Sequence, residues 1–370
     1  MILSKSLIKN SKIFITPWID LQANDIDKCI LAGANSARIH TGKASLEKII
    51  ELINYYNSRD FQFYLDLRGN KTSIESIDND LKYCDIRIGQ NVFIGLKGEK
   101  PTGKCCHSFE LGFIPSALMV KRNIRGNIAL DDARIIINLK KRVECKGKVI
   151  GFDGVVTKEG RVWIGDGVSS TNLFIHSGSK YVLSFTDIDI LNNIPINLRH
   201  KIKYIAISFC ENSCHIDQAE MIVKSLGYTD AIIVPKVETI EGVKNIDKIC
   251  VNLVNKYGRK AELQVGRSDL TADIERMGNK YNIVKTVDLL IESCQRHKVL
   301  ISILAMIMTS VRLAHRLNIH TKIYEPTKME EEYIGHLAKQ KVYQIGLTND
   351  MYIEHPEEMI EKLRDIISKY

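Results

Sequence analysis

Along most of the chain, short apolar runs rich in β-branched residues alternate with longer stretches whose apolar positions recur every three or four residues. The first runs are KIFIT (Lys12 to Thr16), SARIHT (Ser36 to Thr41) and QFYLDL (Gln62 to Leu67). The later ones are YIAISF (Tyr204 to Phe209), AIIVPK (Ala231 to Lys236), ELQVG (Glu262 to Gly266), VLISIL (Val299 to Leu304) and VYQIGLT (Val342 to Thr348). Helical patterns such as SLEKIIELINYYNSR, TIEGVKNIDKICVNL and KTVDLLIESCQRHK lie between them, and the amphipathic HPEEMIEKLRDIISKY closes the chain. Eight strands, each followed by a helix, predict an α/β fold of the (β/α)8 TIM barrel type. Residues 70–180 interrupt the alternation with short β-rich runs (DIRIGQNVFIGL, ARIIINLKK, KVIGFDGVV, GRVWIGDG) and frequent Gly and Asp turns. The prediction is a small all-β domain inserted after strand three, with the barrel assembled from residues 1–69 and 181–370. Set above the end of a barrel where chemistry occurs, such an insertion would act as a lid that excludes water.

Composition narrows the class without naming the chemistry. The 370 residues are 45% hydrophobic and 26% charged, which suits a globular protein with a sizeable core. No apolar run approaches the roughly 20 residues of a membrane helix. The start MILSKSLIKNSK lacks the apolar block and cleavage site of a signal peptide, so a cytoplasmic location is expected. Nine cysteines, odd in number and scattered, read as reduced thiols. Cys210, Cys214 and His215 in FCENSCH have no second ligand cluster to complete a metal clip. The formal charge of +8 is dispersed, not gathered into a basic stripe with interleaved aromatics. It therefore points to small anions, phosphorylated molecules first, and away from nucleic acid.

The candidate chemistry lies at the strand ends, where loops of a barrel converge. Strand two ends with Arg38 and His40, strand three with Asp66 and Arg68, strand four with Ser208, strand five with Lys236 and Glu238, and strand six with Arg267, Ser268 and Asp269. Two carboxylates from adjacent strands, Glu238 and Asp269, can share a hard divalent cation that keeps several waters and takes its remaining ligands from a substrate. Magnesium or manganese fits that description. Arg38 and Lys236 can then neutralise a phosphate or carboxylate, as phosphoryl transfer requires. Any one of these charges taken alone is more often a solvated loop residue; their joint occurrence on consecutive strands is the argument.

At this point the residues resemble the pyruvate kinase family. AGANSARIHTG is similar to the family's AGMNVARINFSHG, FYLDLRGNKT to LLDLKGPKIR, and GNIALDDARIIINL to GDxIxIDDGLI. YIAISFCENS resembles AxSFVRxA, VPKVETIEGVKNID resembles AKIENxEGVxNxDEI, and VGRSDLTADI resembles ARGDLGVEI. The stretch from PTKMEEEYIGHL onward follows the family's PTRAEVSDVA, so the likeness runs from about Ile15 to Ile367. It implies that Glu238 and Asp269 hold a divalent cation that also binds the enolate oxygen of pyruvate. It further implies that Lys236 stabilises the transferring phosphoryl group, that Arg38 contacts it, and that Arg68, Ser268 and Asp269 border the substrate. Asp66 stands where the family has a ligand for a monovalent cation.

The departures bear on function as well. The family's Asn in RINFSH is His40 and the following Ser position is Gly42, which weighs against potassium dependence. Lys71, also a candidate for binding the substrate, stands where some members carry a lysine that does the cation's electrostatic work; His40 could replace the Asn hydrogen bond as a neutral imidazole or, the preferred reading, the ion's charge as an imidazolium. On strand seven ATQMLESM has become ILAMIMTS, putting Leu304 where a threonine helps protonate the enolate; Ser302 and Thr309 are the neighbouring hydroxyls. Met306 and Met308 are expected to fill the barrel top. The nucleotide anchors are altered too, with Ser73 in place of an arginine and Asp166 near the position of a lysine. Asp131 and Asp132 read as turn formers, and Cys105, Cys106 and His107 receive no role. The chain stops at Tyr370 after the eighth helix, so the family's regulatory C-terminal domain and the tetramer contacts across it are not expected, while some other homo-oligomer stays open.

Three functions follow from this balance. The first is a divalent-metal-dependent phosphotransferase acting on phosphoenolpyruvate or a related enol phosphate, with altered use of nucleotide or other acceptor. The second is a lyase or aldolase acting on a 2-oxo acid such as pyruvate through its enolate. The third is a non-catalytic protein that binds a small anion or a partner on the same scaffold.

Overall fold

The computed structural model describes residues 11–16, 23–42, 44–69, 72–78, 81–96, 98–99, 103–111, 126–130, 135–164, 166–170, 182–277, 280–307, 327–348 and 356–370. All eight expected barrel strands form: β1 (Lys12–Ile15), β2 (Ser36–His40) and β3 (Gln62–Leu67), then, after the intervening segment, β13 (Tyr204–Ile207), β14 (Ile232–Val237), β15 (Glu262–Gly266), β16 (Leu300–Ile307) and β17 (Gln344–Thr348). They pair in parallel in the cyclic order β1-β17-β16-β15-β14-β13-β3-β2, and β1 closes on β2 through Phe14 opposite Ser36. Lys236 lies inside β14, which runs on to Val237. Every residue of β14 and β15 is buried, as expected for parallel strands covered on both faces.

Helices follow the strands and begin where the sequence supplies a cap. Ser45, Asn212, Thr239 and Asn282 accept from the backbone N–H three residues on, and Thr327 with Glu330 forms a reciprocal capping box. The apolar faces of these helices bury against the outside of the barrel. Inside it lies a separate small cluster of Phe14, Tyr64, Ala206, Ile232 and Val234, in which the rings of Phe14 and Tyr64 meet edge to face. Among the described residues, no helix is long and apolar enough to cross a membrane.

Between β3 and β13 the described residues form nine further strands. These are β4 (Thr72–Ile77), β5 (Tyr83–Ile86), β6 (Asn91–Leu96), β7 (His107–Leu111), β8 (Gly126–Leu130), β9 (Ile135–Cys145), β10 (Lys148–Lys158), β11 (Gly160–Trp163) and β12 (Gly167–Ser170). Seven of them close a second sheet in the order β10-β6-β7-β4-β12-β8-β9, and β5 pairs with β11 beside it. The sheet has its own apolar core, including Ile77, Ile94, Phe109, Ile137, Phe152 and Val168. Its tight curl depends on a glycine pair: Gly95 faces Gly151, and a Cβ on Gly151 would sit 2.5 Å from the Ile94 carbonyl oxygen and from the Phe93 ring. The sheet rests on the helix Arg267–Arg276 that follows β15. Ala129 packs on Ala272, and Lys158 reaches Glu275 at 3.2 Å.

One side chain ties the end of β3 to the return of the chain. Asp187, fully buried in the first turn of the helix Phe185–Asn193, accepts from the backbone N–H groups of Arg68 (2.9 Å), Gly69 (3.0 Å) and Ser184 (2.9 Å) and from the Ser184 hydroxyl (2.7 Å). Burial pushes its carboxyl above the ordinary range, against the pull of these donors. Asp187→Ala would leave the buried donors at Arg68 and Gly69 without a partner. It is expected to lower unfolding free energy by about 2–4 kcal/mol in a urea titration.

Candidate active site

Four charged side chains from three strands meet inside the mouth of the barrel. The Lys236 ammonium lies 3.2 Å from Asp66 Oδ1 and 3.1 Å from Glu238 Oε1, and it donates to Ser208 Oγ at 3.1 Å. A guanidinium nitrogen of Arg38 stands 3.3 Å from Asp66 Oδ2. All four are buried, at 1% exposure for Asp66, 2% for Glu238, 5% for Lys236 and 8% for Arg38. Such charges persist only when paired, and here two cations balance two carboxylates. Ser208 completes the arrangement by donating to the Leu67 carbonyl at 2.7 Å, which leaves its lone pairs to the ammonium.

The backbone is bent to serve this cluster. Phe209 follows Ser208 in a left-handed conformation (φ 56°), uncommon for a bulky residue, and its N–H donates to Glu238 Oε2 at 2.9 Å. Glu238 is thus held at one oxygen by an amide and at the other by Lys236. Gly266 gives it room, since a Cβ there would lie 2.2 Å from Glu238 Oε1. Asp273 accepts from the Ile240 N–H at 2.7 Å and so anchors the helix that starts just beyond Glu238 to the one that bears Asp269.

The electrostatics follow from burial and proximity. Burial disfavours the Lys236 ammonium, but Asp66 and then Glu238 outweigh it and raise its pKa above the ordinary lysine value. Burial raises Glu238, with Asp269 and Asp66 adding to the rise and Lys236 and the Phe209 N–H opposing it. Asp269, in the first turn of the helix after β15, is therefore close enough for its negative charge to be felt at both Lys236 and Glu238.

That charge bears on whether a divalent cation fits. Glu238 and Asp269 are hard oxygen donors from adjacent strand ends, and the upward push of one carboxylate on the other is what a cation between them would relieve. No group of three or more His, Cys, Asp or Glu side chains arranged to hold a metal occurs among the described residues. A two-carboxylate site completed by water and substrate would suit magnesium or manganese better than zinc. For an anion, the structure offers Arg38, whose buried Nε–H has no hydrogen-bond partner among the described residues. It also offers the first amides of the helix that begins at Arg267 and includes Ser268 and Asp269.

Other expected residues take different places. The Arg68 guanidinium is depressed by burial and feels Asp187 and Glu75, at the junction with the second sheet. The Gly42 N–H points at His40 Nδ1 (3.1 Å), a contact that the neutral imidazole can accept. Ser302 does not replace the threonine that Leu304 displaces, because its hydroxyl lies within the barrel against Glu262 (2.8 Å) and Gln344 (3.3 Å). Asp166 is buried and accepts the Trp163 N–H at 2.9 Å within a turn. The Cys210 thiol and the His215 ring are both turned to local backbone, at the Asn212 carbonyl and the Glu211 N–H. Lys71, Asp131, Asp132, Met308 and Thr309 lie outside the described residues, as do the side chains of Leu304 and Met306.

The family model "Pyruvate kinase, barrel domain" matches residues 9–314, well over half of the chain. The chain belongs to the pyruvate kinase family. A pyruvate kinase of Methanocaldococcus jannaschii is 24% identical over 291 residues, covering 75% of this chain and 56% of that protein. The chain thus spans little more than half the length of this relative.

Gly266 was not singled out as a sequence feature, yet it sets the position of Glu238. Gly266→Ala is expected to displace that carboxylate and weaken Mn2+ binding by about 10- to 100-fold in a calorimetric titration, with the far-UV circular dichroism unchanged.

Proposed function

We propose that the protein is a pyruvate-kinase-like, divalent-metal-dependent phosphotransferase that acts on phosphoenolpyruvate or a related enol phosphate. The observation that carries this reading is the buried Lys236 ammonium, fixed by Asp66, Glu238 and Ser208, beside Arg38, which pairs with Asp66 and keeps an Nε–H that has no hydrogen-bond partner among the described residues. Arg38 would bind and orient the phosphoryl group, and Lys236 would neutralise the charge that builds on it as it leaves the enol oxygen. Glu238 and Asp269 would hold magnesium or manganese, which supplies charge neutralisation for the substrate oxygens. Asp269 leaves the cluster one negative charge in excess, and a divalent cation would turn that into one positive charge, suited to an anionic substrate.

In this reaction the P–O bond to the enol oxygen breaks, the phosphoryl group passes to an acceptor oxygen, and the enolate takes up a proton. We read the second sheet, on the helix that carries Asp269, as a lid-like domain, and a nucleoside diphosphate as the first acceptor to test. Family membership supports the reaction class. The altered nucleotide anchors, Ser73 in place of an arginine and Asp166 near the position of a lysine, support an altered acceptor. A second reading, lyase-type chemistry on a 2-oxo acid, is favoured by one observation: the Ser302 hydroxyl is engaged inside the barrel and is not available to protonate an enolate.

A phosphorus NMR time course with phosphoenolpyruvate, ADP and magnesium, run beside Lys236→Met, separates the two. ATP formation by the wild type, reduced about 100-fold or more in the variant, is the expected result. Intact phosphoenolpyruvate in both samples would sink the phosphotransferase reading. Metal-dependent exchange of the methyl protons of pyruvate with solvent would then support the second.

A further inference from the structure

Below the charged cluster the barrel holds a second polar system that the reaction above does not use. Glu262, 1% exposed on β15, accepts from Tyr64 Oη at 2.9 Å and meets Ser302 Oγ at 2.8 Å, while Gln62 Nε2 donates to Tyr64 Oη at 2.6 Å. Ser302 Oγ also lies 3.3 Å from Gln344 Oε1. A serine hydroxyl has one proton, and here it faces two acceptor groups. The conflict disappears if Glu262 is itself protonated. Gln62 then donates to Tyr64, Tyr64 to one Glu262 oxygen, the other Glu262 oxygen to Ser302, and Ser302 to Gln344, so that each of these contacts has its own hydrogen.

We propose that Glu262 is a proton-binding site within the barrel and that loss of its proton reverses the direction of the hydrogen bonds from Ser302 to Gln344. In the ionised form Ser302 donates to Glu262, and Gln344 turns its amide to donate to Ser302. The Gln344 Nε2 atom, buried and without a partner among the described residues, is the donor this second state requires. Register places the system directly beneath the candidate site: Lys236, Gln264, Ser302 and Gln344 are successive partners across β14 to β17, and Glu262 is two residues before Gln264.

The surroundings favour the protonated form. Lys12 on β1 is the cation that faces Glu262 and pulls its pKa down, together with the Ser302 and Tyr64 hydroxyls. The other titratable groups there are the phenols of Tyr64 on β3, Tyr204 on β13 and Tyr343 ahead of β17, the first two pushed up by burial. Burial is the largest influence on Glu262 and raises it to about 7. With the folded value above the unfolded one, this group favours folding most at low pH, and the advantage is lost as pH rises through about 7.

The inference does not rest on the proposed reaction, and its test needs no substrate. Carbon-detected NMR of the full chain would follow the Glu262 carboxyl, identified by its absence in Glu262→Gln, while proton–nitrogen spectra follow the Gln344 side-chain amide. A common midpoint near neutrality for both signals is expected. Ser302→Ala should leave the carboxyl titration in place and remove the response of Gln344. If Glu262→Gln does not fold, Tyr64→Phe provides the identification, because loss of a donor to the carboxylate shifts that midpoint upward. If it folds, its thermal midpoint should decline less than that of the wild type between about pH 5 and pH 8. A Glu262 midpoint in the ordinary carboxylate range would overturn the proposal, as would a Gln344 amide that does not follow it.

Discussion

The site depends on a lysine ammonium taken out of water. Lys236 leaves the solvent on a buried central strand, and without partners it would shed its proton. Asp66 and Glu238 supply the opposing charge, Arg38 pairs with Asp66, and Ser208 accepts from the ammonium. Removing any of these would leave a buried charge exposed to its neighbours without compensation, so the four strands β2, β3, β13 and β14 must end in register for the cluster to exist at all. A closed parallel barrel provides that condition, because the hydrogen-bond ladder between adjacent strands fixes the height of each side chain.

The local irregularities around the cluster become intelligible in this light. A left-handed phenylalanine and a glycine that admits no Cβ are local costs to stability, and both lie against the same carboxylate. Glu238 is held from two sides while Asp269, on the next helix, adds a like charge. The result is a Glu238 carboxylate kept in place by the scaffold, which is the kind of preorganisation that electrostatic stabilisation requires.

The barrel and the charges that meet at its mouth were legible in the sequence, for a physical reason. Parallel strands buried on both faces appear as apolar runs, so Arg38, Asp66, Lys236 and Glu238 stood out as charges where such runs end. What could not be read there was conformation and direction. Nothing about Phe209 announces a positive φ, Gly266 resembles any strand-ending glycine, and Asp187 lies 119 residues from the Arg68 N–H that it binds. His40 shows the same limit: nothing in its residue type announces that the Gly42 N–H is aimed at Nδ1. The glutamate of ELQVG reads as part of a strand, and its burial against Tyr64 depends on a contact across 198 residues.

The same barrel therefore handles buried polarity in two ways. At the mouth, charges are kept and paired, which suits a site that must meet an anion. One layer below, the hydroxyls, amides and single carboxyl group can be satisfied without any charge, provided one proton is present. The two solutions place different demands on Ser302 and Ser208, although both are buried serines on barrel strands or at their ends. Ser208 gives its proton to a carbonyl and offers lone pairs to a cation, so its role is tied to Lys236. Ser302 lies between two acceptor groups, so its direction is set by the protonation of Glu262, and a hydroxyl held in that way cannot serve the chemistry of the mouth above it.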